Sequence, residues 1–311
     1  MMRDDRQRGI ALVLVLWATT LLSVIAASFA FSIRTDTLLA QNLVASARAQ
    51  ALADAGVQRA MFEMFKPVGD KKRWKGDGAL HVWEFGGAKI NITVLDTSGK
   101  IDLNTGNEQL LKSLFKSAGG LDEERSAALM DVIADWRDPD DLKRVKGAEA
   151  PEYQAAGLKY KPSNAPFETI DELRQVLGMT PQLYAKLADT LTVESRQAGV
   201  NPAIASRKVL LAMPGVDAAI VDAYLVLRQE ALTADLPAPP FPQAGAFVAG
   251  ANGSVYSVRA EAVLPDGAVF IRETTVRINQ SPARKLAYLS WKDGEATPRL
   301  SSDNPPNIDG K

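Results

Sequence analysis

The apolar positions cluster first in one long run. Residues 9–31 are almost wholly apolar, and no charge appears between Arg8 and Arg34. At about 1.5 Å per residue, residues 10–33 make a helix of roughly 36 Å, enough to cross a hydrocarbon core of about 30 Å. The helical pattern continues past the charge at Arg34. Residues 34–66 contain no Pro and only Gly56, and are rich in Ala, Leu, Gln and Arg, all helix formers. Ala45, Ala49, Leu52, Gly56, Ala60 and Met64 follow three- and four-residue steps and form one narrow apolar stripe. The pattern predicts a single helix over 10–66, with 10–33 in lipid, ending at Pro67.

The period then changes from helical to alternating. Turn chemistry at 69–72 and 75–78 precedes strand patterns at 80–85 and 89–96, joined by Gly86-Gly87. The strand pattern resumes only at 254–264 and 268–279, joined by Pro265-Asp266-Gly267, and again at 285–291. Tyr256, Val258, Ala260 and Ala262 make the more apolar face of their strand, the one expected to pack on the long helix. Between the two strand groups lies a helical stretch, 97–241, closed by the stiff segment Leu236-Pro237-Ala238-Pro239-Pro240. From 293 onward Gly, Pro, Ser and Asp dominate, and a flexible tail is expected. The fold class expected is α+β: a long N-terminal transmembrane helix on a small antiparallel sheet (67–96 and 242–292), interrupted by a large all-helical insertion.

The insertion carries an internal repeat. Ile101, Leu110, Leu111 and Leu114 align with Val200, Val209, Leu210 and Met213 without gaps. Each copy leads through a Gly turn, Gly119-Gly120 or Pro214-Gly215, into a helix that Asp122 or Asp217 can cap. Residues 167–176 and 180–191 read as a third helix pair. Met213-Pro214-Gly215-Val216 with Ala219 and Ala223 looks like a helix-hairpin-helix, a motif that grips DNA phosphates through backbone amides. Asp217, however, stands where the second hairpin glycine is usual, and a carboxylate there repels phosphate. The hairpin is therefore read as packing, with no nucleic acid bound.

Charge and composition narrow the chemistry. The net charge is −1, with no basic footprint. There is no cysteine and one histidine, His81, read as a surface or edge-strand residue. A multi-histidine zinc site and a cysteine nucleophile are thus excluded, a Ser-His-Asp triad would have to use His81, and no enzyme is expected. Arg3, Arg6 and Arg8 ahead of the apolar run hold the N-terminus in the cytoplasm and send the bulk of the chain outward. The run exceeds the length of a cleaved secretory signal, and the helix continues beyond it, against both that reading and a plain anchor. One acidic segment stands out: Asp135, Asp138, Asp140, Asp141, Glu149 and Glu152 fall within eighteen residues. Hard oxygen donors on an irregular loop suit Ca²⁺. A solvated loop neutralised by Arg137, Lys143, Arg144 and Lys146 is the alternative.

Arg-Gly followed by an apolar run that continues as one helix resembles the N-terminus of type IV pilins and type II secretion pseudopilins. The resemblance implies a leader over 1–9 and cleavage by a prepilin peptidase between Gly9 and Ile10. Most members carry Glu as the fifth mature residue; here it is Leu14. That departure, with the large helical insertion, is similar to the minor pseudopilin K family of the general secretion pathway. A carboxylate in lipid needs the amine of a neighbouring subunit. A subunit with none above it has no such neighbour, so Leu14 fits a filament tip. Asp-Trp-x-Asp-x-Asp followed by Gly-x-Glu-x-x-x-Tyr is close to the segment carrying calcium ligands in that family, which implies a structural calcium role for the six acids as a group. The resemblance further implies a single-pass inner-membrane protein with a periplasmic bulk. Its partners would be the I and J minor pseudopilins, with H and secreted substrates as further contacts, through the stripe from Ala45 to Met64. A membrane-anchored DNA receptor of the competence type and a type IV pilus minor pilin are the other classes weighed.

Overall fold

A computed structural model describes residues 5–294 except 68, 71, 235, 243, 244, 252 and 280–285, with side chains from residue 11 onward. Helix α1 (Asp5–Met64) is one rod of 60 residues, about 90 Å long. Residues 11–44 are exposed along its whole first half, which is long and apolar enough to cross a membrane. The helix stops two residues before the expected end. Pro67 disfavours helical backbone in the residue ahead of it, and Nε of Arg73 donates to the carbonyl of Met64 at 2.9 Å.

The strands are β1 (Asp77–Phe85), β2 (Ala88–Asp96), two short ones, β3 (Ile101–Asp102) and β4 (Leu191–Thr192), then β5 (Val255–Val263), β6 (Val269–Ile278) and β7 (Leu286–Asp293). Five form one antiparallel sheet in the order β1-β2-β5-β6-β7. Alternation puts Ile90, Ile92 and Val94 of β2, and Val258, Ala260 and Ala262 of β5, on one face, fully buried against Ala49, Ala53, Val57 and Ala60 of α1. The expected helix-facing side of β5 is the one observed. Arg272 of β6 is nearly buried, bonds Asp54 of α1 at 2.6 Å, pairs with Asp293 of β7 and lies over the rings of Phe270 and Trp291. One guanidinium thus pins helix, sheet and last strand together.

This packing overturns one expectation. Ala49, Leu52, Gly56, Ala60 and Met64 are buried under the chain's own sheet, and Ala45 is half-covered at the edge of that contact. They do not form a free partner face. The stripe is narrow because a sheet lies on it: a Cβ on Gly56 would meet Cγ2 of Ile90 at 2.8 Å and Cβ of Ala260 at 3.0 Å.

The inserted domain contains α2 (Glu108–Ser117), α3 (Glu123–Arg137), α4 (Ala150–Ala155), α5 (Pro181–Leu187), α6 (Arg207–Leu211) and α7 (Ala218–Thr233). All eight repeat positions, from Ile101 to Leu114 and from Val200 to Met213, meet in one core. Gly120 and Gly215 take left-handed backbone (φ +75° and +78°) at the two turns. Asp122 and Asp217 cap α3 and α7, accepting from the N–H groups of Arg125 and Ile220 at 2.8 Å each.

Three details depart from the sequence reading. Residues Ile170–Gln175 form a 3-10 helix, and α5 ends at Leu187. The domain is not all helical: β3 and β4 pair in parallel, held by buried Asp102, which accepts from the N–H of Arg196 (2.9 Å) and the hydroxyl of Ser195 (3.1 Å). The helical domain also extends past 241. Phe241 packs edge-on against Tyr224, and Val248 bridges to Val200. The domain springs from the sheet beside Asp96 and Tyr256, which share a cleft with Met64, the end of α1 farthest from the apolar run. Ion pairs Arg277–Glu194 (2.5 Å) and Lys292–Asp171 (2.8 Å) dock it on β6 and β7.

Candidate functional site

The acidic segment lies where α3 hands over to α4. Asp135, in the last turn of α3, is fully buried. The backbone N–H of Arg144 donates to both its oxygens (3.3 and 3.2 Å), and that of Ala148 also donates to it. The loop must pass close above this carboxylate, and only Gly147 allows it: a Cβ there would lie 1.8 Å from Oδ2 of Asp135. Trp136, Tyr153 and Phe167 pack beneath, with ring centroids 6.0 and 6.2 Å from Trp136.

Glu149 follows at the N-cap of α4 and is only 4% exposed. The Glu149 side chain faces the N–H of Glu152 in a capping box, but among the described residues neither of its carboxylate oxygens makes a well-formed hydrogen bond, nor does Oδ1 of Asp138 or Oδ1 of Asn164. Burial first, and then the charges of Asp135, Asp138, Asp141 and Asp140, push the Glu149 carboxyl up to about 7. Burial also raises Asp135 and Asp138. The site is therefore a crowd of carboxylates short of positive charge.

The loop bases are mostly directed elsewhere. Arg137 donates to the carbonyl of Asn104 at 3.1 Å and to that of Leu103. Lys143 pairs with Glu152 (2.7 Å), Arg144 with Glu108 (3.2 Å) and Lys146 with Glu124 (3.0 Å). Arg144 also nears Asp135, at 3.9 Å.

The six predicted acids separate accordingly. Asp135, Asp138 and Glu149 point into the crowded site. Asp140 and Asp141 border it: Asp140 accepts from the N–H of Leu142, and Asp141 from the amide of Asn164, each at 2.8 Å. Glu152 leaves the group, because one oxygen takes Lys143 and the other the N–H of Glu149 (3.0 Å), closing the first turn of α4. Asn164 was not legible as a member. It lies in left-handed backbone (φ 50°) beyond α4, and its amide also donates to the carbonyl of Asp140 at 3.1 Å. The only cue in sequence is that Asn tolerates that conformation. Among the described residues no three acidic side chains close to metal-binding distance. The donors are all hard oxygens, and the unpartnered buried ones fit a calcium-type ion completed by carbonyl or water oxygens.

The other singled-out residues fall as follows. Gly9 and Ile10 lie within α1, and their side chains are outside the described residues. Leu14 is exposed on the apolar part of α1. His81 lies on edge strand β1, stacked flat on Trp74 with centroids 3.9 Å apart. Asp217, just past the hairpin turn, spends its carboxylate on the N–H of Ile220 in the first turn of α7. The face of α1 turned away from its sheet carries Leu43, Val44, Ala47, Ala51, Phe62 and Phe65, all exposed.

Residues 88–196, running from β2 into the helical domain, match the family described as Type II secretion system (T2SS), protein K. Type II secretion system protein K of Klebsiella pneumoniae is 28% identical over 255 residues, covering 74% of this chain and 77% of that protein. The chain is similar to type II secretion system protein K over this length. The protein K of Pectobacterium carotovorum subsp. carotovorum is 26% identical over 223 residues, covering 63% of this chain and 67% of that one. The fold of this chain is shared with a chain of the crystallised GspK-GspI-GspJ complex of the enterotoxigenic Escherichia coli type 2 secretion system. The TM-score is 0.57 at 18% identity, over 85% of this chain and 99% of that one.

Proposed function

We propose that this chain is a minor pseudopilin of the protein K type and a tip subunit of the pseudopilus, starting or capping the fibre used for export across the outer membrane. One observation carries the reading: the apolar rod of residues 10–33 holds no carboxylate, Leu14 is exposed on it, and a bulky domain lies at the far end of α1. Without a carboxylate the rod needs no amine from a subunit above, and the domain obstructs one. A prepilin peptidase cuts between Gly9 and Ile10. The mature helix spans the inner membrane, and the remainder lies in the periplasm. Partners of the I and J type, with an H-type subunit as a further neighbour, pack on the exposed face of α1 through Val44, Ala47 and Ala51. Small residues there let a second helix come close. Asp135, Asp138, Glu149, Asp140 and Asp141, with Asn164, hold a structural calcium ion. Calcium supplies positive charge to buried carboxylates, tying the 138–149 loop to α3 and α4.

Three measurements test this. Membrane-isolated protein should begin at Ile10, and label on it should appear at fibre ends when pseudopili are overproduced. Label spread along the fibre would refute the tip position. Chelator should lower the melting temperature, whereas Asp138→Asn with Asp140→Asn should melt alike with or without calcium. No response to chelator would remove the ion from the account.

A further inference from the structure

The two edges of the sheet differ. At β7, Lys292 pairs with Asp171 of the helical domain and Asp293 with Arg272, so charge and a neighbouring domain guard that edge. At β1 no strand borders the outer side among the described residues. The run Ala79-Leu80-His81-Val82-Trp83 contains no formal charge apart from the titratable His81, no Pro and no Gly. Its one irregularity lies at the Asp77–Leu80 end. Edge strands are ordinarily blunted by Lys, Pro or a bulge, and this one is open from Leu80 to Phe85.

Both faces beside the edge are apolar. Leu80 and Val82 are 62% and 53% exposed on the side away from α1. On the helix side Trp83 and Phe85 stack with centroids 4.6 Å apart. Phe62 of α1 stands nearby, 63% exposed, and Arg59 lies 5.6 Å from the centroids of both Phe62 and Trp83.

We propose that β1 accepts an extended segment of a partner pseudopilin as a sixth strand. The inference rests on the reading of this chain as a pseudopilin working in a complex. The open ladder decides the occupant's form. A helix laid on Phe62 and Trp83 would bury part of that surface but leave the outward N–H and C=O groups of β1 unpaired. A strand satisfies those groups and continues both apolar faces at once. Its chemistry follows: five or six extended residues, uncharged in the middle, one set of alternate side chains beside Leu80 and Val82 and the other beside Trp83 under Phe62.

Backbone hydrogen exchange reads this directly. The full-length chain is purified in detergent, alone and in complex with pseudopilins I and J co-expressed from the same organism. Amides of residues 80–85 should exchange at least about tenfold more slowly in the complex, while β7 amides keep their rates. Val82→Lys should lower the recovered complex several-fold and leave the melting temperature unchanged. A complex that forms with β1 amides no slower overturns the added strand and leaves the pseudopilin reading intact. Failure to recover any complex overturns both. Protection of β1 that grows with the concentration of this chain alone assigns the edge to a second copy and overturns a partner's strand.

Discussion

Gly147 lies so close to Asp135 that a Cβ on it would fall 1.8 Å from Oδ2 of the buried carboxylate. Asp135 is fully enclosed and organises the loop through the N–H of Arg144, so the glycine cannot gain a side chain without moving that loop. Gly147→Ala should destabilise the protein by several kcal/mol, as a clash with a buried polar network does. It should also abolish any calcium-dependent rise in melting temperature. Thermal denaturation of the detergent-solubilised chain, with calcium and with chelator, measures both.

Glu149 is buried, and among the described residues neither of its oxygens makes a well-formed hydrogen bond. Glu149→Gln removes the charge and keeps the shape. The chelated variant should be at least as stable as the chelated parent, and added calcium should raise its melting temperature by less than half as much. An undiminished calcium response would remove Glu149 from the ligand set.

At Gly56 α1 lies so near the sheet that a Cβ would fall 2.8 Å from Cγ2 of Ile90. Gly56→Ala should cost about 1 kcal/mol net, because overpacking against Ile90 outweighs the helix propensity gained. Gly56→Leu should cost about 3 kcal/mol or more, read as a lower denaturation midpoint.

The two faces of α1 should respond oppositely. Ala47→Arg, on the exposed face, should leave the unfolding free energy within about 0.5 kcal/mol of the parent and reduce co-purification with I and J subunits several-fold. Ala49→Arg buries an unpaired charge under the sheet and should unfold that half of the molecule. Equal effects at both positions would contradict the assignment of faces.

Docking of the helical domain on β7 should weaken in acid. The hydrogen bond from Lys292, and then that from the Tyr184 hydroxyl, hold the Asp171 carboxyl below the ordinary carboxylate range. A depressed acid stabilises the folded state above its unfolded pKa of about 4, and that contribution disappears as pH falls through the lower folded value. Both partners are half exposed, so it should be under about 1 kcal/mol. The stability difference between the parent and Asp171→Asn should be present at pH 6 and shrink steadily below about pH 4. A difference independent of pH would show that the ion pair does not contribute.

What the sequence determined by itself rests on short-range physics. The apolar run, the alternation of β2 and β5, the turn glycines and the Asp caps of α3 and α7 each depend on residues a few positions apart, and each has the expected form. The four matched pairs of the repeat reached further, because equal spacing of apolar positions places them in one core. Tertiary structure alone decided which surface each pattern serves. The small-residue stripe from Ala49 to Met64 announces close packing, but nothing in it tells the chain's own sheet from a partner; the sheet, folding back from residues 88–96 and 255–278, takes it. Glu149 and Glu152 look alike in sequence, yet one faces other acids and the other faces Lys143, because α4 turns them apart. Asn164 joins the acids only because the chain returns to them, and contacts between distant segments are set by the packed whole rather than by local pattern.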